Sequence, residues 1–130
     1  MENSRYKFRA WEPEEKQMIY FGLFGTDEGY HIQSNDQYTV MQYTGLKDKN
    51  GKEIYEGDVL NCIEKSEHVT DKEWGPIEVV FTHGCFNVVI KKCCEHCRDG
   101  FGIICSVYEC VAMCETEIIG NIHEDKHLLK

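Results

Sequence analysis

Short runs of alternating or β-branched residues, separated by glycine-bearing and polar stretches, set the pattern of this chain. Lys7-Phe8-Arg9-Ala10-Trp11 alternates polar and apolar positions, and an apolar run from Met18 to Leu23 follows Glu12-Pro13-Glu14-Glu15-Lys16. That spacing predicts two strands and a short connection, with Pro13 kept out of the ladder because it has no N–H to donate. A helix over Pro13 to Tyr20 competes, since a proline and acids suit a first helical turn. Gly22, Gly25 and Gly29 then mark a loop running to Asp36.

Tyr38 to Thr44 is rich in aromatic and β-branched side chains, which pack well on a pleated surface, and predicts a strand. Asn50-Gly51, between Lys47 and Ile54, has the make-up of a type I′ hairpin turn, because both residues tolerate positive φ. Gly57-Asp58 is a second tight turn, and Val59 to Ile63 leaves it as a strand apolar on both faces. A polar run from Glu64 to Glu73 predicts an exposed loop. Ile77 to Phe81 and Phe86 to Ile90 then form a second strand pair about His83-Gly84. Further on, Cys93 to Gly102 is expected as loop, Ile103 to Tyr108 as strand, and Cys110 to Cys114 as strand or helical turn. Glu117 to His123 predicts a last strand, with a frayed tail from Glu124.

About seven short strands with little helical periodicity make a mainly β fold, a small barrel or roll with irregular loops. A β-sandwich is the alternative. The 130 residues suit one domain spanning 1–130, and 42% hydrophobic with 12% aromatic residues is enough to build one core. No apolar run approaches the length of a membrane span, and the start has no signal-peptide run, so a cytoplasmic location is expected. Eight cysteines without an export signal are expected as thiols or metal ligands in a reducing compartment, not as bridges. A formal charge of −9 disfavours nucleic acid as a partner of the whole surface.

Three blocks resemble the YopX family, small proteins associated with bacteriophages and prophages. The first is Lys7-Phe8-Arg9-Ala10-Trp11 with Met18-Ile19-Tyr20, and the third is Ile119-Gly120-Asn121-Ile122-His123-Glu124, supported by Val80-Phe81 and Phe86. The second and most specific runs unbroken from Met41-Gln42-Tyr43-Thr44-Gly45-Leu46 through Lys47-Asp48-Lys49-Asn50-Gly51-Lys52 to Glu53-Ile54-Tyr55-Glu56-Gly57-Asp58. The resemblance implies an SH3-like barrel or roll and brings no assigned active site. The cysteine-rich stretch from Cys93 to Cys114 departs from the family pattern. Turn glycines and core aromatics already account for most of the second block, so it reads as a folding signature.

The candidate metal ligands are Cys94, Cys97, Cys110 and Cys114, with Cys93, His96 and Cys105 as substitutes; two Cys pairs can complete a tetrahedral zinc site. Zinc is the one cofactor the sequence raises, and the bland reading makes these residues buried or exposed thiols. His83 and Cys85 lie close in sequence, but no third group to orient them is identifiable, and no other catalytic set stands out, so no enzyme is expected. Lys47, Lys49 and Lys52 with Tyr43 and Tyr55 could form a local nucleic-acid patch, but the interleaved Asp48, Glu53, Glu56 and Asp58 largely cancel its charge, so a nucleic-acid-associated regulator and a zinc-stabilised module stand as the alternative roles. The expected role is therefore protein interaction, including self-association through sheet edges, with Trp11, Tyr43, Tyr55 and Trp74 as the candidate surface.

Overall fold

The computed structural model describes residues 6–22, 38–64, 72–82, 84–91 and 101–129. Among the described residues nine strands are arranged in two antiparallel sheets. The first sheet has the order β2-β1-β3-β4, from β1 (Phe8–Glu12), β2 (Gln17–Phe21), β3 (Thr39–Lys47) and β4 (Glu53–Tyr55). The second has the order β8-β7-β6-β5-β9, from β5 (Asp58–Glu64), β6 (Lys72–Thr82), β7 (Cys85–Lys91), β8 (Phe101–Ser106) and β9 (Glu115–Asn121). One helix, α1 (Val107–Met113), sits between β8 and β9. The fold is mainly β, with a sheet curled into a half barrel, as the strand pattern predicts. No helix among the described residues is long and apolar enough to cross a membrane.

The β1–β2 hairpin forms where alternation predicts it, in the register Phe8 opposite Phe21 and Trp11 opposite Met18. The Glu12 carboxylate accepts the N–H groups of Glu14 and Glu15, so the turn is closed by a side chain and no helix starts at Pro13. At Asn50-Gly51 the outcome differs from a type I′ turn, because Gly51 has φ +82° while Asn50 stays on the negative side. The reason is Asp48. Its Oδ1 accepts the N–H of Asn50 and of Lys52, each at 2.9 Å, which fixes a turn with only one left-handed residue. Its Oδ2 accepts the Ile118 N–H at 3.0 Å, so the same carboxylate ties the hairpin to β9.

The core lies on the second sheet, where Leu60, Ile77, Val79 and Val88 meet Ile54 of β4 and Val107 of α1, all essentially inaccessible. The strand expected through Tyr108 ends at Ser106, which caps a helix over Val107–Met113, its Oγ accepting the Glu109 N–H at 3.1 Å, and of the two readings open for Cys110 to Cys114 this is the helical one. Cys62 on β5 and Cys110 on α1 are held sulfur to sulfur across 48 residues, where the sequence reading expected separate thiols or metal ligands. The packing explains it: both cysteines belong to the same core cluster as Val107, with Thr116 Oγ1 against both sulfurs. The expected frayed tail is a folded return instead. Asn121 Oδ1 accepts the His123 and Glu124 N–H groups, Asp125 Oδ2 accepts that of Asn121, and a 3-10 turn follows over Lys126–Leu129.

Tyr55-Glu56-Gly57-Asp58 joins the two sheets. Glu56 exchanges hydrogen bonds with Gln42 of β3, its N–H donating to the Gln42 carbonyl and its Oε1 accepting the Gln42 N–H. Gly57 donates to the Val79 carbonyl and accepts from the Ile122 N–H, each at 2.9 Å. It has φ +83°, a conformation that requires glycine, and a Cβ there would also crowd Met41 Sδ at 3.0 Å. Under this turn Arg9 of β1 meets Asp58 of β5 at 2.9 Å, with both side chains at 5% exposure or less. The guanidinium also donates to the Glu56 carbonyl and lies over the Tyr55 ring, 4.9 Å from its centroid, while Asp58 Oδ2 accepts the Tyr55 N–H. Strict alternation on β1 fails here, since Arg9 and Ala10 are both buried.

Removing one member of such a pair leaves a buried charge without its partner. Asp58→Asn is expected to lower unfolding free energy by about 3–5 kcal/mol in urea titration, and the double change Arg9→Met with Asp58→Leu by much less.

Candidate functional site

A cleft of about 450 Å³ opens beside the joint. Its buried wall is Arg9, Tyr55 and Asp58, and the exposed Tyr20 of edge strand β2 closes one side, its ring edge-on to Tyr55 at 5.7 Å. Glu53, Glu124 and Asp125 supply carboxylates, and Lys52 adds a cation. Most of these charges are already engaged: Glu53 holds Lys7 at 2.7 Å, and Asp125 caps the Asn121 N–H. Burial pushes the Asp58 carboxyl above its ordinary value despite the pull of Arg9 and of the Tyr55 N–H. The same desolvation, reinforced by Glu53, pushes the Tyr55 hydroxyl up to about 12, so it stays protonated as a neutral hydrogen-bonding group. Arg9 Nε is buried without a hydrogen-bond partner among the described residues.

The four residues expected to form one interaction surface are separated by the fold. Tyr43 and Tyr55 are buried, tilted against each other at 5.5 Å inside the first sheet, and only the Tyr55 edge reaches the cleft. Trp11 is half-buried and stacks on His123 at 5.5 Å, lining a separate cleft. Trp74 is half-buried against the core of the second sheet. The exposed aromatics of the described residues are instead Tyr20, Phe81 and Tyr108, at 57%, 54% and 68%. Tyr20 was only an anonymous member of an apolar run; its place on an edge strand is the signal that could have marked it.

Of the candidate metal ligands, Cys94 and Cys97 lie outside the described residues, as do Cys93, His96 and His83. Cys110 is paired with Cys62, and both line a mostly apolar cavity of about 180 Å³ with Cys105, Cys114 and Trp74. Burial pushes the Cys105 and Cys114 thiols up, which keeps them in the less reactive protonated form. Among the described residues no group of three or more His, Cys, Asp or Glu side chains is arranged to hold a metal ion. Cys85 is exposed, with its thiol 3.5 Å from Asn87 Oδ1. Lys49 lies 3.7 Å from Glu117, so part of the lysine charge on the β3–β4 turn is cancelled across to β9.

Two antiparallel sheets, one of them curled, joined by a buried ion pair define a small mainly β domain of barrel or roll type. The family model for the YopX protein matches residues 25–130, and the chain belongs to that family. Among solved structures it is similar to protein EF1440 from Enterococcus faecalis, at 28% identity and a TM-score of 0.54, with 95% of this chain and 97% of that one covered. It is also similar to protein yopX from Bacillus subtilis, at 20% identity and a TM-score of 0.53, over 97% and 99% of the two chains, a likeness of fold. No curated protein matches the chain.

The Trp11–His123 stack carries a pH dependence. Burial, with Arg9 and Lys126 adding repulsion, lowers the His123 imidazole below its ordinary 6.5, and Glu124 offsets this only in part. The unfolded chain therefore takes up this proton first, so the contribution to stability is intact above the ordinary value and is lost as pH falls through the folded one. Asp58, raised rather than lowered, contributes with the opposite sign. Melting temperature should fall as pH drops from about 7 toward 5, and less steeply in His123→Gln; equal slopes in the two proteins would refute the assignment.

Proposed function

We propose that this domain is a non-enzymatic protein-interaction module of phage or prophage origin, working in the host cytoplasm, and that its cleft beside the joint docks a basic segment of a protein partner. The observation that carries this reading is Tyr20, an aromatic ring 57% exposed on a free sheet edge, at a cleft whose acidic groups outnumber its basic ones. A lysine or arginine side chain can lie on such a ring, where a cation–π contact contributes about 0.5–1 kcal/mol at exposed sites, with its charged end toward Glu124 and Asp125. The chain's charge of −9 steers a basic partner toward it. Binding is favoured over catalysis because charged groups of the cleft are already engaged: Arg9 with Asp58 inside it, and Glu53 with Lys7 outside it.

Fluorescence anisotropy with a labelled octa-arginine peptide tests the reading. Binding should weaken steeply with salt and fall by about fivefold or more in Tyr20→Ser and in Glu124→Gln, while Glu115→Gln, exposed at the start of β9, leaves it unchanged. Equal loss in all three variants would reduce the effect to net charge, and no binding at low salt would remove the proposal.

A further inference from the structure

Among the described residues the outer strands of the two sheets are β2, β4, β8 and β9, and β2 alone lacks the features that keep an edge from pairing. Strand β4 is three residues long and its register against β3 shifts. The register of β8 against β7 shifts too. The β3–β4 turn covers β9 from outside: the Thr116 carbonyl accepts the Lys49 N–H at 2.8 Å, and the Ile118 N–H donates to Asp48. By contrast β2, Gln17-Met18-Ile19-Tyr20-Phe21, has no charge, no proline and no glycine. It pairs with β1 over all five residues without a shift, and among the described residues no strand meets its other side.

Which groups this edge offers follows from the ladder. Tyr43 donates to the Lys7 carbonyl, so Lys7, and with it Arg9 and Trp11, turns its backbone groups toward β3. Phe8, Ala10 and Glu12 turn theirs toward β2, where Phe21, Ile19 and Gln17 stand opposite and are used up in pairing. The N–H and C=O groups of Met18 and Tyr20 therefore point outward. Residues directly opposite share a face, so Tyr20 shares one with Arg9, the face of the acidic cleft. Ile19 and Phe21 lie on the other face, Phe21 stacked on Phe8 at 5.5 Å.

We propose that a partner protein docks on β2 as an added antiparallel strand, with a lysine or arginine opposite Tyr20 and an apolar residue on each side of it. This gives the basic segment of the preceding section a conformation and a register, and it rests on that reading. The residue opposite Tyr20 exchanges both backbone hydrogen bonds with it, and its side chain lies on the Tyr20 ring with the charge toward Glu124 and Asp125. Its two neighbours turn to the opposite face, beside Ile19 and Phe21, where apolar side chains suit them. Main-chain bonds hold the strand, and the ring with its carboxylates selects the basic residue. The β2 strand of a second copy has no basic residue to lay on that ring, so the occupant is a different strand.

Fluorescence anisotropy with the labelled peptide Thr-Gln-Val-Arg-Val-Gln-Thr, blocked at both ends, and with two N-methylated forms of it tests the proposal. Methylating the arginine nitrogen removes the N–H that faces Tyr20, and binding should fall by about tenfold or more. Methylating both valine nitrogens, which face away from β2, should leave affinity within about twofold, and arginine replaced by glutamine should weaken it by about fivefold. If both methylated forms bind like the parent while Tyr20→Ser still weakens binding, the added strand is overturned and docking of a basic segment stands. Binding of octa-arginine without binding of this peptide has the same meaning, whereas no binding of either removes both readings. A dimer in sedimentation velocity that excess peptide fails to dissociate would give the edge to a second copy and overturn the assignment to a partner.

Discussion

The buried contact between Arg9 and Asp58 is the constraint on which the rest of the arrangement depends. Each residue belongs to a different sheet, and each would be costly to bury alone, because moving an unpaired ion out of water costs several kcal/mol or more. They are brought to 2.9 Å, with the Glu56 carbonyl accepting from the guanidinium and the Tyr55 N–H donating to the carboxylate, while Arg9 Nε has no partner among the described residues. Such a pair adds little net stability compared with an apolar one, and burial still outweighs Arg9 in raising the Asp58 carboxyl. Its effect is to specify position. Only one placement of β1 against β5 lets both charges be satisfied, whereas the apolar core of Leu60, Ile77, Val79 and Val88 tolerates small shifts.

From that joint the surface follows. Gly57 receives Ile122, which sets where the chain leaves β9, and Asn121 and Asp125 then fold residues 121–129 back across the molecule. This returning segment divides the face beside the joint into two clefts, with Glu124 lining both. One combines the exposed Tyr20 with acids and the other combines Trp11 with lysines. Opposite charges therefore lie a short distance apart on one face of an acidic domain.

The strands were legible because their signals are local: β-branched and aromatic runs bounded by glycines at 45, 51 and 57. What escaped depends on residues far apart. The burial of Arg9 cannot be read from its own neighbourhood, since its partner lies 49 positions away in the other sheet, and alternation places it toward solvent. Asp48 likewise reaches 70 positions to Ile118, so its turn resembled an isolated hairpin and was assigned the wrong type. The start of helix α1 escaped because Val107 and Tyr108 continue the apolar run expected as strand, and its end was ambiguous because Val111 and the cysteines suit either period, although Ser106 with Glu109 three residues on is a helix-start signature present in the sequence. The candidate surface was the least legible part, as Tyr43 and Tyr55 are as apolar in sequence as Tyr20 and differ only in which sheet position they occupy.

Native-state amide hydrogen exchange tests the central claim directly, because the joint is made of three named N–H groups, those of Tyr55, Gly57 and Ile122. Were they ordinary turn amides, they would exchange at loop rates. A joint that locks the sheets predicts protection on a par with Leu60 and Val79 in the core, released together with them on unfolding. Exchange of the three ahead of the core, with β5 and β6 still protected, would contradict the account.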